Sequence, residues 1–251
     1  MAERPPKLRL FVAADLTAGA SVGLDAAQAH YLGTVMRARK GDALALFNGR
    51  DGEWRAAIDG FGKGWCSVAV GERLRPQTAE PDLWLVFAPI KRARIDFVAE
   101  KATELGVSAL WPIFTRHTAV GRVNVERLRA NAVEAAEQCE RLTVPEIVAP
   151  ATLDEVLADW PAGRALLVLD ESGAGAPAAD ALADLPPGPA AVLTGPEGGF
   201  AKSELDGLRA LPFVTHIGLG PRILRADTAA LAALACWQAW CGDWRARPAL
   251  R

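Results

Sequence analysis

From Leu83 onward, continuous apolar runs alternate with amphipathic segments, and this alternation is the feature that most narrows the possible folds. The apolar runs read LWLVFAPI, VSALWPIF, ALLVLD, AAVLTG and VTHIGLG. The helix-like segments read RARIDFVAEKATELG, VERLRANAVEAAEQCERL, KSELDGLRAL and TAALAALACWQAW. Strands that alternate with helices form a parallel sheet covered on both faces. We therefore predict an α/β fold here, with any ligand beyond the carboxyl ends of the strands.

The first 75 residues follow a different pattern, of short strands and one helix. LRLFVA and GWCSVAVGE are strand candidates, and DALALFNG and EWRAAIDG flank the turn-forming GRDG, as in a β-hairpin. The stretch DAAQAHYLGTVMRARKGD predicts a short helix that begins with a capping box of Asp25 and Gln28 and ends by Gly41. These elements predict a small barrel, and the polar stretch RLRPQTAEPD predicts the linker that follows it.

Charge is unevenly distributed along the chain, although the net charge of the 251 residues is only −2. Residues 91–129 hold 8 Lys and Arg against 4 Asp and Glu, whereas residues 151–190 hold 1 against 7. A basic middle segment suits a polyanionic partner, because the field at a surface depends on nearby charges. The four cysteines have no zinc-site spacing, and we find neither a signal-peptide core nor an apolar run of bilayer length. These features predict a cytoplasmic protein with no metal and no membrane partner.

Two glycine-rich bends, TGPEGGF (194–200) and IGLGPRILRADTAA (217–230), follow predicted strands. Glycine lets main-chain N–H and C=O groups approach a flat ligand without interference from a Cβ atom. Leu219, Pro221, Ile223 and Leu224 are suited to an apolar slot for an aromatic base. Two tight turns without any ligand are the alternative. The presence of a charged residue in each bend, Glu197 and Arg225, favours a binding site.

Known nucleotide and hydrolase motifs do not account for these bends. Ile223 stands where a G-x-G-x-x-G fingerprint needs its last glycine, and the chain has no G-x-x-x-x-G-K-[ST] P-loop. It also lacks H-E-x-x-H and G-x-S-x-G. Recognition of a ligand by main-chain groups is therefore the remaining interpretation of the two bends.

The two bends, read as LTGPEGGF and IGLGPRILRADTA, resemble the C-terminal signature of the ribosomal small subunit methyltransferase E family, within the SPOUT class. KRARIDFVAEKATELGVSALWPI and EAAEQCERLTVPEI resemble the middle segments of that family. HYLGTVMRARKGD and FNGRDGEW resemble its N-terminal RNA-binding part. The resemblance extends from about Arg9 to the last helix.

The resemblance implies a PUA-like β-barrel RNA-binding domain over residues 1–75. It implies a SPOUT α/β methyltransferase domain with a trefoil knot over residues 76–251. The implied donor is S-adenosylmethionine, and the implied reaction is methylation of N3 of one uridine in 16S ribosomal RNA of the small subunit. A homodimer with the active site near the subunit interface is also implied. The alternatives are a trefoil-knot methyltransferase acting on another RNA (transfer RNA or 23S rRNA), a non-catalytic RNA-binding protein with a vestigial donor pocket, and a parallel-sheet nucleotide binder.

We assign candidate roles to residues on this basis. The catalytic candidates are Arg225, whose alternative is a structural salt bridge, and Glu197, whose alternative is capping of its own loop. The residues expected to bind the donor are Leu193, Thr194, Gly195, Gly198, Ile217, Gly218, Leu219, Gly220, Ile223, Leu224 and Arg225. The residues expected to bind RNA are Arg9, Arg37, Arg39, Lys40, Arg92, Arg94, Arg116 and Arg122, and each has a solvated surface charge as its alternative.

The chain departs from the pattern of the family at two places. Ala201 stands where members often carry serine, so it cannot cap the next helix through its side chain. Ala226 and Asp227 replace the more usual Thr-Glu or Ala-Glu pair. Asp227 has the shorter carboxylate arm, which suits a helix N-cap better than a catalytic role.

Overall fold

The computed structural model describes residue 6 and residues 8–246, and it divides into two compact units. The first unit comprises the described residues up to Ala79 together with Ala136–Val144. The second comprises Glu80–Ala135 and the described residues from Pro145 onward.

The first unit contains a five-stranded mixed sheet and a short helix. Its strands are β1 (Arg9–Phe11), β2 (Ser21–Leu24), β3 (Ala43–Phe47), β4 (Glu53–Gly62) and β5 (Trp65–Arg75), and its helix is α1 (Ala26–His30). The strand order is β1-β3-β4-β5-β2, in which only the β1–β3 pair is parallel. The predicted hairpin is confirmed, because β3 pairs antiparallel with β4 across the GRDG turn.

The helix of the first unit is shorter than the sequence pattern predicts. Its capping box is confirmed: the Gln28 N–H donates to Asp25 Oδ1 over 2.8 Å, and the Asp25 N–H donates to Gln28 Oε1. After α1 the chain forms one π-helical turn, Tyr31–Val35, and Arg37 then adopts a positive φ of 53°. Gly33 and the β-branched Thr34 and Val35 are poor helix formers, which explains the early end.

The second unit is a parallel sheet. Its strands are β6 (Leu83–Phe87), β7 (Ala109–Phe114), β8 (Glu146–Ile147), β9 (Ala151–Thr152), β10 (Ala165–Leu169), β11 (Ala176–Pro177), β12 (Ala190–Thr194) and β13 (Val214–Gly218). The strand order is β11-β13-β10-β12-β6-β7-β8, and β9 also pairs with β7. All of these pairs are parallel, as predicted.

Helices cover both faces of this sheet. They are α2 (Arg92–Glu104), α3 (Val125–Cys139), α4 (Leu153–Ala158), α5 (Ala178–Ala183), α6 (Lys202–Arg209) and α7 (Ala226–Trp240). Leu167 and Val192 lie in one core cluster with residues of α2 and α7, whereas the adjacent Val168 and Leu193 lie in another with residues of α4 and α6. Successive strand residues face opposite sides of a sheet, so this division reflects double coverage.

Several short elements of this unit have no counterpart in the sequence prediction. The segment between β10 and β12 contains β11 and α5. Helix α4 was also missed, although Thr152 and Glu155 form a capping box at its start. Each of these elements spans six residues or fewer, which is too short for a periodic pattern to appear in the sequence.

Candidate active site

A cleft of about 810 Å³ opens at the carboxyl ends of three neighbouring strands, β10, β12 and β13. The loops that follow these strands line it, together with the first turn of α7 and Arg94 of α2. Ligands of doubly covered parallel sheets bind at this edge. The volume lies within the range of about 300–1,000 Å³ that is usual for small-molecule sites.

The loop after β12 is shaped by its glycines. Gly199 has a φ of +66°, and its N–H donates to Pro196 O over 2.9 Å, which closes a tight turn. A Cβ atom at Gly199 would overlap the carboxylate of Glu171, and one at Gly195 would lie 3.0 Å from the ring of Phe200. Main-chain atoms are therefore presented to the cleft at positions that no larger residue can occupy unchanged.

His117, in the loop after β7, holds this glycine loop from the side. Its Nδ1 lies 3.1 Å from Gly198 O and 3.2 Å from Gly199 O. Both partners are carbonyl acceptors, so Nδ1 carries the proton. The sequence analysis gave His117 no role, because it lies 81 residues away from Gly198 along the chain.

The loop after β13 is more open. Gly220 has a φ of +91°, and nothing lies within 4 Å of where its Cβ would be. Ile217 is buried, Leu219 and Leu224 are half-buried, and Ile223 is 89% exposed. Of the four residues expected to form an apolar slot, Leu219 and Leu224 are half-buried, whereas Pro221 and Ile223 are exposed.

The loop after β10 also lines the cleft, and sequence reasoning missed it. It contributes Asp170, Glu171, Gly173 and Gly175. A Cβ atom at Gly175 would lie 2.7 Å from the carbonyl carbon of Ile217, so glycine is needed where β11 approaches β13. A glycine-rich segment, DESGAG, directly follows the apolar run ALLVL. The same reasoning that identified the other two bends would have found this one.

Asp170 fixes the start of the loop after β10 through hydrogen bonds. Its side chain is fully buried: Oδ1 accepts the Ser172 N–H, and Oδ2 accepts Arg209 Nη2 and His216 Nδ1, each over 2.9 Å. Burial opposes ionisation of this carboxyl. The hydrogen bonds from Ser172, Arg209 and His216 outweigh burial and lower its pKa to about 2. Asp170 is therefore an ionised anchor and not a proton acceptor at neutral pH.

The two catalytic candidates both line the cleft and are both exposed. Arg225 is the N-cap residue of α7, and its carbonyl accepts the Ala229 N–H. Glu197 lies at the tip of the loop after β12. The expectation that Asp227 would be the N-cap is wrong, because Asp227 is the second residue of α7, and its Oδ1 accepts the Thr228 N–H. Its Oδ2 lies 3.4 Å from Nη1 of Arg94.

Most of the residues expected to bind the donor line this cleft. They are Thr194, Gly195, Gly198, Ile217, Gly218, Leu219, Gly220, Ile223, Leu224 and Arg225. Leu193 is fully buried, and its side chain belongs to the core beneath the sheet. Ala201 is the N-cap of α6 without a side-chain cap, and the carboxylate of Glu204 accepts its N–H over 2.7 Å.

Arg9 must be withdrawn from the residues expected to bind RNA. It is only 5% exposed, and its Nε donates to Glu53 over 2.6 Å. Its Nη atoms donate to the carbonyls of Ala136, Glu137 and Arg141. Burial opposes ionisation of Glu53, but Arg75 and Arg9 outweigh it and hold the pKa of Glu53 below its ordinary value. Arg9 therefore stabilises the interior of the first unit, and its side chain is too buried to contact RNA.

The other basic candidates are placed as follows. Arg37, Arg39, Lys40, Arg116 and Arg122 are exposed. Arg94 is half-buried and lines the cleft. Arg92 begins α2, but its side chain lies outside what the structure describes.

The part of the chain that the structure describes contains neither a cluster of metal-binding side chains nor a helix that could cross a membrane. Within it, no group of three His, Cys, Asp or Glu residues is placed to hold a metal ion. No helix of the described residues is both long enough and apolar enough to span a bilayer.

Comparison with known proteins gives the same domain types. A family model of an RNA methyltransferase domain matches residues 78–238, and one of an RNA methyltransferase PUA domain matches residues 24–64. The ribosomal RNA small subunit methyltransferase E of Rickettsia conorii is 36% identical over 207 residues, which are 82% of this chain and 84% of that protein.

Two solved structures are similar over nearly the whole chain. One is a methyltransferase from Legionella pneumophila in complex with S-adenosylmethionine, with a TM-score of 0.85, 29% identity, and coverage of 96% of this chain and 100% of that one. The other is a ribosomal RNA small subunit methyltransferase E from Neisseria gonorrhoeae bound to S-adenosylmethionine, with the same TM-score and coverages and 26% identity. The chain therefore belongs to the ribosomal RNA small subunit methyltransferase E family, within the SPOUT class.

Proposed function

We propose that this protein transfers a methyl group from S-adenosylmethionine to N3 of one uridine, uracil 1498, in 16S ribosomal RNA. The observation that carries the proposal is the cleft: three glycine-rich loops meet at neighbouring strand ends in a chain of this family. The alternatives, a methyltransferase for another RNA or a non-catalytic RNA-binding protein, are outcomes of the experiment below.

The cleft fits the donor. The positive φ of Gly199 and the absence of a Cβ atom beside Glu171 leave main-chain groups open to a ligand, and Ile217, Leu219 and Leu224 supply apolar surface for an adenine ring. The loops contribute the carboxylates of Glu171 and Glu197, which favour a ligand that bears positive charge. When bound, the donor supplies a methyl group on a sulfonium cation. That group passes to N3 and leaves a neutral thioether.

The residues of the chain have two tasks in the reaction. The N3–H of uracil is a weakly acidic imide, and its nitrogen is a poor nucleophile until the proton leaves. We assign to Glu197, at the tip of its loop, the acceptance of this proton and its release to solvent. We assign to Arg225, at the start of α7, the stabilisation of negative charge on the uracil oxygens or the orientation of the donor carboxylate. The loops hold donor and acceptor in line.

RNA binding is proposed for the exposed basic residues of each unit. Arg37, Arg39 and Lys40 lie in the part that resembles a PUA domain, and Arg116 and Arg122 lie between β7 and α3. Contacts between such residues and phosphates set affinity and orientation without reading sequence.

We propose a homodimer, as the family resemblance implies, and a cytoplasmic location with the small ribosomal subunit as partner. The exposure of Ile223 at the mouth of the cleft supports the dimer, because a second subunit covering this side chain would remove apolar surface from water. The trefoil knot also remains a proposal from the resemblance.

A deletion strain tests the function. Mass spectrometry of its 16S ribosomal RNA should find that N3-methyluridine is lost, and a plasmid copy of the gene should restore it. Loss of a methyl group from transfer RNA or 23S rRNA instead would support the first alternative. Unchanged methylation of every RNA, together with RNA binding by the purified protein, would support the non-catalytic one.

A further inference from the structure

The charged residues that line the cleft come from two groups of elements. The acidic residues Asp170, Glu171 and Glu197 lie in the loops after β10 and β12. The basic residues Arg94, Arg222 and Arg225 lie on α2 and on the segment that leads into α7. A donor cation is favoured near the first group and a developing anion near the second.

Arg94 differs from the other two arginines in how it is held. Arg222 and Arg225 are exposed, whereas the side chain of Arg94 is 35% exposed and that of its partner Asp227 is 17% exposed. Oδ1 of Asp227 accepts the Thr228 N–H over 2.8 Å, which fixes the carboxylate in the first turn of α7. Asp227 thus links α2 to α7 through Arg94.

The contact leaves most of the guanidinium available. Nη1 of Arg94 is 3.4 Å from Oδ2 of Asp227, a single long contact, and no other side-chain partner of Arg94 is found among the described residues. A guanidinium carries five N–H donors in a planar fork. Four or more of them therefore have no partner among the described residues.

We propose that Arg94 contacts the uracil of the substrate and stabilises the negative charge that forms on its oxygen atoms as N3 loses its proton. The fork of a guanidinium matches a planar group with adjacent acceptors, and a half-buried cation acts more strongly on a developing anion than an exposed one. This inference rests on the proposed function. It narrows the expected role of Arg94 from a general RNA contact to a contact with the reacting base.

Asp227 is in this account a positioning residue. Its carboxylate fixes one side of the guanidinium, so that the free donors keep one direction. It touches Arg94 and not the substrate, and its removal should act only through Arg94. The two residues should therefore be energetically coupled.

The experiment compares five full-length forms of the protein: wild type, R94Q, D227N, R94Q/D227N and R127Q. The substrate is the small ribosomal subunit from the deletion strain, with S-adenosylmethionine as donor. Arg127 is a matched control, because it also pairs with an aspartate, Asp96 of α2, and is not among the residues that line the cleft. Thermal unfolding checks the fold of each variant, and calorimetry measures donor affinity.

We expect R94Q to lower kcat about 100-fold with little change in donor Kd. D227N should lower kcat about fivefold, and the double variant should be no slower than R94Q. The deficit of R94Q should shrink at alkaline pH, where the imide ionises without help. R127Q should have near-normal kcat.

If R94Q folds poorly, chemical rescue of the R94A variant provides a second test. Millimolar methylguanidinium should raise the rate of R94A but not that of R127A. The proposal is overturned if R94Q retains normal kcat, if its donor affinity falls in proportion to its rate, or if D227N slows R94Q by a further fivefold. A wild-type protein that methylates no small-subunit RNA would instead overturn the proposed function.

Discussion

Nδ1 of His117 lies 3.1 Å from the carbonyl oxygen of Gly198 and thereby ties the loop after β7 to the glycine loop of the cleft. The first prediction concerns this bond. H117A should weaken donor binding about fivefold, since a hydrogen bond contributes about 1 kcal/mol. H117N, whose amide can donate from a similar position, should bind the donor nearly as well as wild type. Calorimetry with S-adenosylmethionine measures both, and equal losses in the two variants would contradict the role given to Nδ1.

Gly199 gives the second prediction. G199A combines an unfavourable positive φ with an overlap of its Cβ atom and Glu171, so donor binding should fall at least tenfold. Gly173 is a matched control: its φ is +83°, it lines the same cleft, and nothing lies within 4 Å of its Cβ position. G173A should introduce only backbone strain, with an energy on the order of 1 kcal/mol. If G173A loses as much donor affinity as G199A, the contact with Glu171 does not matter.

The third prediction is that Asp170 makes stability depend on pH in acid. Its pKa is about 2 in the folded protein and 3.8 in a model peptide, so its stabilising contribution is complete above about pH 4 and disappears as pH falls toward 2. Urea denaturation of wild type and D170N should differ by on the order of 2 kcal/mol at pH 6 and converge near pH 2. The partners of the carboxylate, Arg209 and His216, are unchanged in this comparison. A difference that is constant from pH 6 to pH 2 would contradict the assigned pKa.

Two arginines of the first unit should respond in opposite ways, which is the fourth prediction. R37E changes an exposed side chain, so it should weaken RNA binding, reduce the salt dependence of that binding and leave stability unchanged. R9M leaves Glu53 buried without one of its partners and should lower the free energy of unfolding by about 3–5 kcal/mol. Filter binding and urea denaturation measure the two effects. If R9M has normal stability but binds RNA more weakly, Arg9 contacts RNA and the interior role given to it is wrong.

The fifth prediction concerns the two catalytic candidates. R225A and E197Q should each lower kcat at least tenfold while thermal unfolding stays close to that of wild type, because both side chains are exposed. Single-turnover methylation of small subunits measures the transfer step. Normal turnover in R225A or in E197Q would remove that residue from the mechanism.

The architecture of the second unit was predictable because its strands are apolar runs and its long helices have a clear period. The capping box of α1 and the β3–β4 hairpin were also readable, since each depends on residues close together in sequence. Short elements such as α4 and β11 were not, because their conformation depends on the sheet they join.

The site was predictable where local backbone chemistry forms it and not where distant residues meet. The loops after β12 and β13 were recognisable in the sequence because they are rich in glycine. His117, Glu171 and the Arg94–Asp227 pair depend on tertiary placement. Arg9 shows the limit most clearly, because nothing in its neighbouring sequence indicates that Glu53 and the carbonyls of 136–141 surround it.

Methylation in a purified system tests the central claim most directly. The protein, S-adenosylmethionine and small subunits from the deletion strain are combined, and the 16S ribosomal RNA is digested and mapped by mass spectrometry. One new N3-methyluridine per RNA, at uracil 1498 and formed more slowly with G199A at limiting donor concentration, is the predicted result. Unmodified RNA, or a methyl group on another atom or at scattered sites, would contradict the account.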